Sequence, residues 1–139
     1  MQWLVDSDVA SQTSKARPRP EVTAWLRRHA VDCYLSQLTM AELAYGVKIA
    51  PEHRQEALDA WLAKVRAEAG NAILPLGEDV FMTWKSVLAD LKRANTTLPC
   101  EDSLLAAHAR ALGLGVATLN RRHFEAAGCV CADFNSEES

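Results

Sequence analysis

A chain of 139 residues, 49% hydrophobic and 24% charged, has the make-up of one globular domain long enough to bury a core. Its net charge of −3 argues against a broad basic face that grips nucleic acid, although an acid-lined cation site would itself lower the formal charge. No apolar run is long enough to cross a bilayer, and no basic region followed by an apolar stretch opens the chain, so a cytoplasmic protein without a membrane role is expected.

In chain order the pattern alternates between strands and helices. Residues 2–5 form a short apolar strand ended by Asp6-Ser7-Asp8, a helix start. Residues 14–20, with two prolines and three basic residues, read as a loop. Helical spacing of Val22, Trp25 and Leu26 follows over 21–29, then a buried strand over 32–38 carrying Cys33 and Leu35. Thr39 opens a helix to about Ala50, and 54–69 forms the next, with Leu58, Trp61, Leu62 and Val65 on one face. Residues 73–76 make a short strand in which Pro75 suggests an edge or an end. Helices over 78–94 and 102–112, a strand over 115–118, a short helix over 121–126 and a last strand over 129–132 complete the domain, 1–134, before the polar tail 135–139. The expected fold is α/β with three layers, a mostly parallel central sheet covered by helices on both faces. The four cysteines (33, 100, 129 and 131) lack zinc-site spacing and read as free thiols.

In such sheets functional groups gather beyond the carboxyl ends of the strands, where strand order reverses. Asp6, Glu42 and Asn120 each follow a predicted strand within a few residues, and Asp102 begins a helix after a proline-containing loop. Each has a purely structural reading. Thr39-Met40-Ala41-Glu42 is also a capping box, with Thr39 as cap and Glu42 reaching back. Asp102 suits a helix's first turn, and Ser7, Asp8 and Asn120 are good caps. Asp6 resists that explanation, because it abuts a strand bound for the core. Four coincidences in the right order favour a shared site.

The order and context of these segments resemble the PIN-domain nuclease family, in its VapC-like toxin and FitB-like, plasmid-stability branch. Leu4-Val5-Asp6-Ser7-Asp8-Val9 resembles the opening strand with its acid and hydroxyl; residues 34–43 with Gly46 resemble the second acid segment; residues 98–109 resemble the third, and Gly113 with Thr118-Leu119-Asn120 keeps the register. The resemblance runs from residue 3 to about 134. It implies a metal-dependent endoribonuclease, the toxin half of a type II toxin–antitoxin pair, with Mg2+ (or Mn2+) at Asp6, Asp102 and Glu42. Ser7, Thr118 and Asn120 would hydrogen-bond those carboxylates or their waters. The implied partners are a small antitoxin covering the acids, an RNA substrate and a second copy of the chain, with DNA reached only through the antitoxin.

One position departs from the family pattern. Where an acid usually precedes the phenylalanine after Asn120, this chain has His123-Phe124. A neutral imidazole suits zinc, copper or manganese better than magnesium, so His123 is left as a contact to the acids, a phosphate contact or a surface histidine. The departure also keeps open a second function, a catalytically weak PIN-domain partner in a DNA-binding regulatory complex with its antitoxin. A receiver-type signalling domain ranks lower, for want of its later aspartate and lysine. Apolar surface on the Trp25 helix and on the 54–69 helix is expected to be covered by the antitoxin or by a second copy.

Overall fold

The computed structural model describes residues 1–135; the polar end of the tail, 136–139, lies outside them. Four strands, β1 (Trp3–Val5), β2 (Cys33–Ser36), β3 (Ile73–Leu74) and β4 (Gly115–Ala117), form a sheet in the order β3-β2-β1-β4, and every pairing is parallel. Parallel neighbours need crossover connections. These are α1 (Ser7–Ala10) and α2 (Pro20–Arg28) before β2, then α3 (Gln37–Ile49) and α4 (Glu52–Ala69) before β3. The helices α5 (Glu78–Arg93) and α6 (Cys100–Leu112) lead to β4, and α7 (Arg121–Ala126) follows it. No helix among the described residues is long and apolar enough to cross a membrane.

Strand alternation builds a core on each face. Leu4 and Val116 meet Val87 and Leu91 of α5, Leu105 and Ala106 of α6, and Phe124 of α7. Trp3, Val5 and Ala117 meet Val9, Val22, Trp25, Met40 and Leu43 on the opposite side. The expected three-layer α/β fold is the observed one. Gly115 is required by this packing, since a Cβ there would lie 2.5 Å from the Trp3 ring.

The chain steps outward from β1 to β2 to β3, then crosses back to lay β4 on the other side of β1. Strand order therefore reverses at β1 and β4, whose carboxyl ends lead into Asp6 and Thr118.

Several expectations change in detail. The helix placed from Thr39 begins at Gln37, because Ser36 leaves β2 in extended conformation and its side chain accepts a hydrogen bond from the Leu38 N–H at 3.0 Å. The capping box is thus not formed. Thr39 is buried inside α3, its hydroxyl without a partner among the described residues, and Glu42 lies in the second turn, free of capping duty. The strand expected over 129–132 reduces to one parallel bridge between Val116 and Cys131. Cys129 and Cys131, two positions apart, pack against the same core cluster, as residues i and i+2 of extended chain do.

The Trp25 helix offers no open apolar face. Trp25 is fully buried, stacked on His29 at 4.3 Å and edge-on to Trp3 and Phe134. In α4, Trp61, Leu62 and Val65 pack half-buried against the core. The large exposed apolar side chains sit elsewhere, with Tyr45 and Ile49 on α3 and Phe81 and Met82 on α5. Aromatic area as large as an indole's is worth more in the core than on a surface.

Ser36 serves two elements at once. While capping α3 it also bonds the fully buried His108 of α6, its oxygen 2.9 Å from Nδ1. Burial pushes the His108 pKa down, partly offset by the Pro75 carbonyl, so the ring is held neutral and the Ser36 hydroxyl is its natural donor. Ser36→Ala removes the cap and strands the imidazole together. It is expected to cost about 2–3 kcal/mol, read in urea denaturation as a lower midpoint at unchanged slope.

Candidate metal and nuclease site

Asp6 follows the last residue of β1 and caps α1. It is 4% exposed. One carboxylate oxygen accepts from the Ser7 backbone N–H at 2.7 Å, and the other accepts from the Thr118 hydroxyl at 2.8 Å. Thr118 is itself oriented by the Asn120 backbone N–H, which donates to its oxygen at 3.0 Å. The Asp6 N–H donates to the Ala117 carbonyl at 2.9 Å. A residue after β1 and a segment after β4 are thereby locked together.

The other acids converge on this point. Asp102, in the first turn of α6, pairs through Oδ2 with His123 Nδ1 at 2.7 Å. A carboxylate only accepts, so the imidazole donates. Asp8 accepts from the Leu119 N–H at 3.1 Å through one oxygen, while its other oxygen is buried and unpartnered among the described residues.

Their mutual fields show one neighbourhood. Burial raises the Asp6 pKa, opposed by the Thr118 and Ser7 bonds and reinforced by the Asp102 charge. Burial first, then the charges of Asp6 and Asp102, push Asp8 from 3.8 to about 7. Glu42 rises from 4.5 to about 7, through burial and then the charges of Asp6, Glu101, Asp102 and Asp8.

The residues singled out in the sequence thus fall into clear places. Asp6, Glu42 and Asp102 share an electrostatic neighbourhood. Ser7 and Thr118 bind Asp6, Asn120 contributes its backbone N–H and caps α7 without a side-chain bond, and His123 binds Asp102. Asp8 and Glu101 join the cluster without having been assigned to it. For Asp8 the signal was present in the Asp6-Ser7-Asp8 spacing, but a helix-start reading absorbed it.

Among the described residues no three His, Cys, Asp or Glu side chains come close enough to enclose a cation unaided. The donor chemistry still fits a hard divalent cation. Magnesium is held by one or two carboxylates with waters completing its shell, and an orphaned buried carboxylate oxygen beside mutually repelling acids calls for positive charge.

The PIN domain pattern matches residues 3–128. The chain belongs to the PIN domain family. It is 30% identical over 128 residues to the VapC ribonuclease Y4jK of Sinorhizobium fredii, covering 90% of this chain and 91% of that protein. Among solved structures it is similar to FitAcB from Neisseria gonorrhoeae, with a TM-score of 0.89, 28% identity and coverage of 96% and 98%. It is also similar to FitAB bound to an IR36 DNA fragment, with a TM-score of 0.86, 25% identity and 98% coverage of each chain.

The raised carboxyl pKa values have a definite sign. A folded-state pKa above the unfolded one means that the folded chain holds its proton longer, so stability falls as pH rises through the window between the two. For Glu42 that window runs from 4.5 to about 7. Without divalent cations, Glu42→Gln is expected to match the wild-type melting temperature near pH 4 and to exceed it at pH 8. Contributions common to both proteins, His108 included, cancel in the difference. A difference that stays flat across this range would place Glu42 outside the acid cluster.

Proposed function

We propose that this chain is a divalent-metal-dependent endoribonuclease and the toxin of a type II toxin–antitoxin pair. The observation that carries the reading is the group of Asp6, Asp8, Glu42 and Asp102 at the point of strand reversal, with Asp6, Asp8 and Glu42 raised by burial and by neighbouring acids, in a chain of the PIN domain family. Similarity to a VapC ribonuclease and to FitAcB supports the same assignment.

Asp6 and Asp102 would hold Mg2+, or Mn2+, with Glu42 and the unpartnered Asp8 oxygen nearby. When bound, such an ion neutralises charge on phosphoryl oxygens and makes a bound water a better nucleophile. The protein's own groups supply orientation. Ser7 and Thr118 fix the Asp6 carboxylate, His123 fixes Asp102, and Glu42 orients the attacking water and accepts its proton.

Partners follow the same reading. A small antitoxin covers the acids and, in a complex of that kind, links the chain to DNA, as similarity to the DNA-bound FitAB complex supports. RNA is the substrate, and the chain pairs with a second copy of itself. A second reading, a weakly cleaving partner in such a DNA-bound complex, draws on His123, whose bond to Asp102 engages one of that acid's two oxygens.

Asp6→Asn and Asp102→Asn are each expected to lower magnesium-dependent cleavage of single-stranded RNA by at least 100-fold, an order-of-magnitude figure for loss of a charged group at a metal site. Both should stay folded in EDTA, because relieved carboxylate repulsion at Asp6 offsets its weakened Thr118 bond and an amide oxygen at 102 still accepts from His123. Wild-type cleavage rates in both variants would remove these acids from the site.

His123→Asp distinguishes the two readings. If the histidine only orients Asp102, the substitution adds a sixth acid to the cluster, tightens Mn2+ binding in calorimetry and preserves cleavage. If the histidine is what keeps the chain weakly active, His123→Asp raises turnover above wild type.

A further inference from the structure

A second groove lies on the far side of the acids from α3 and α4. Its volume is about 460 Å³, and its walls are Thr96, Thr97 and Leu98 from the α5–α6 loop, with Arg122, His123 and Ala126 from α7. We infer that this groove seats the phosphate backbone of a single-stranded RNA beside the acid cluster, with Arg122 as its principal phosphate contact. The inference rests on the ribonuclease reading and extends it to the path of the substrate.

Electrostatics favours such a partner surface. An acid cluster in a chain of net charge −3 repels a polyanion until cations fill it, so positive side chains close by help to hold the strand. Arg122 meets that need. Its neighbour Arg121 pairs with Glu125 at 3.2 Å, whereas Arg122 forms no ion pair among the described residues. Its planar guanidinium presents donors that match phosphate oxygens.

The groove is also joined to the site through a shared side chain. His123 lines it and donates to Asp102 at 2.7 Å. Thr96 and Thr97 add hydroxyls of the kind that contact phosphate and sugar. The backbone of that wall is shaped by Asn95, which adopts φ 52°, and by the Thr96 N–H, which donates to the Leu91 carbonyl at 2.9 Å. The groove beside α3 and α4 holds Ser7, Asp8 and Glu42 together with Lys15, Arg54 and the apolar Leu43, Val47, Leu58 and Trp61; what sets the α7 groove apart is its link to Asp102 through His123.

The test measures binding of a fluorescent, unstructured ten-nucleotide RNA by anisotropy in EDTA across a salt series, with magnesium-dependent cleavage of the same RNA in parallel. Arg122→Gln is expected to weaken binding roughly three- to tenfold and to reduce the slope of log affinity against log salt by about 0.7, the loss of one phosphate contact. Arg122→Lys should keep most of the slope. Arg27→Gln, on α2 against the opposite face of the sheet, should change neither quantity. Unchanged affinity and slope in Arg122→Gln, with wild-type cleavage retained, overturns the groove assignment and leaves the ribonuclease reading standing. A wild-type protein that neither binds nor cleaves RNA, or that binds an acidic peptide through Arg122 in place of RNA, overturns both.

Discussion

The hydrogen bond from Thr118 to the buried carboxylate of Asp6 is the point on which both the sheet and the site depend. A carboxylate removed from water is costly unless its oxygens are satisfied, and here each oxygen has a donor, one from α1 and one from the end of β4. The same two segments are joined by the Asp6 N–H and the Ala117 carbonyl. Because β1 and β4 flank the reversal of strand order, this lash closes the open end of the crevice that parallel sheets offer to ligands. Capping a four-residue helix does not demand so much, since serine or asparagine would cap α1 as well. What asks for a carboxylate is the company it keeps. Burial and the charges of Asp6 and Asp102 raise the Asp8 pKa, burial and those charges with Glu101 and Asp8 raise that of Glu42, and Asp8 leaves an oxygen buried without a donor among the described residues. Stability alone would select against that arrangement.

Much of the fold was legible because the physics is local. Trp3-Leu4-Val5 alternates between two cores, and an acid directly after it has no ordinary place to go. Pro51 and Pro99 precede helices whose starts the periodicity put two residues late. Glu42 was legible in part through a misleading signal. The capping box that competed with its site reading does not exist, because Ser36 caps α3 and answers His108 across 72 positions of sequence. No local pattern reports that second partner. The full burial of Trp25 and the collapse of the last strand to one bridge are likewise decided by tertiary contacts, which outweigh propensity. Glu101 was hidden for the same reason, since its membership in the cluster depends on where the end of β1 and the early turns of α3 and α6 meet.

The histidine at 123 carries the larger consequence. An acid there would add one more negative charge to a group in which Asp8 and Glu42 already hold their protons up to about 7. The imidazole instead donates to Asp102, leaves that acid's other oxygen uncommitted, and turns a ring edge toward the groove shared with Arg122. One substitution therefore shifts the charge balance on a single side of the cluster. The groove beside α3 and α4 joins Asp8 and Glu42 to Lys15 and Arg54 as well as to apolar Leu43, Val47, Leu58 and Trp61, a mixed lining of cations and apolar surface. The acids thus stand between two surfaces of different chemistry. Positive charge thus reaches the acids from two walls, Lys15 and Arg54 on one and Arg122 on the other, and only the first of them also offers an apolar lining.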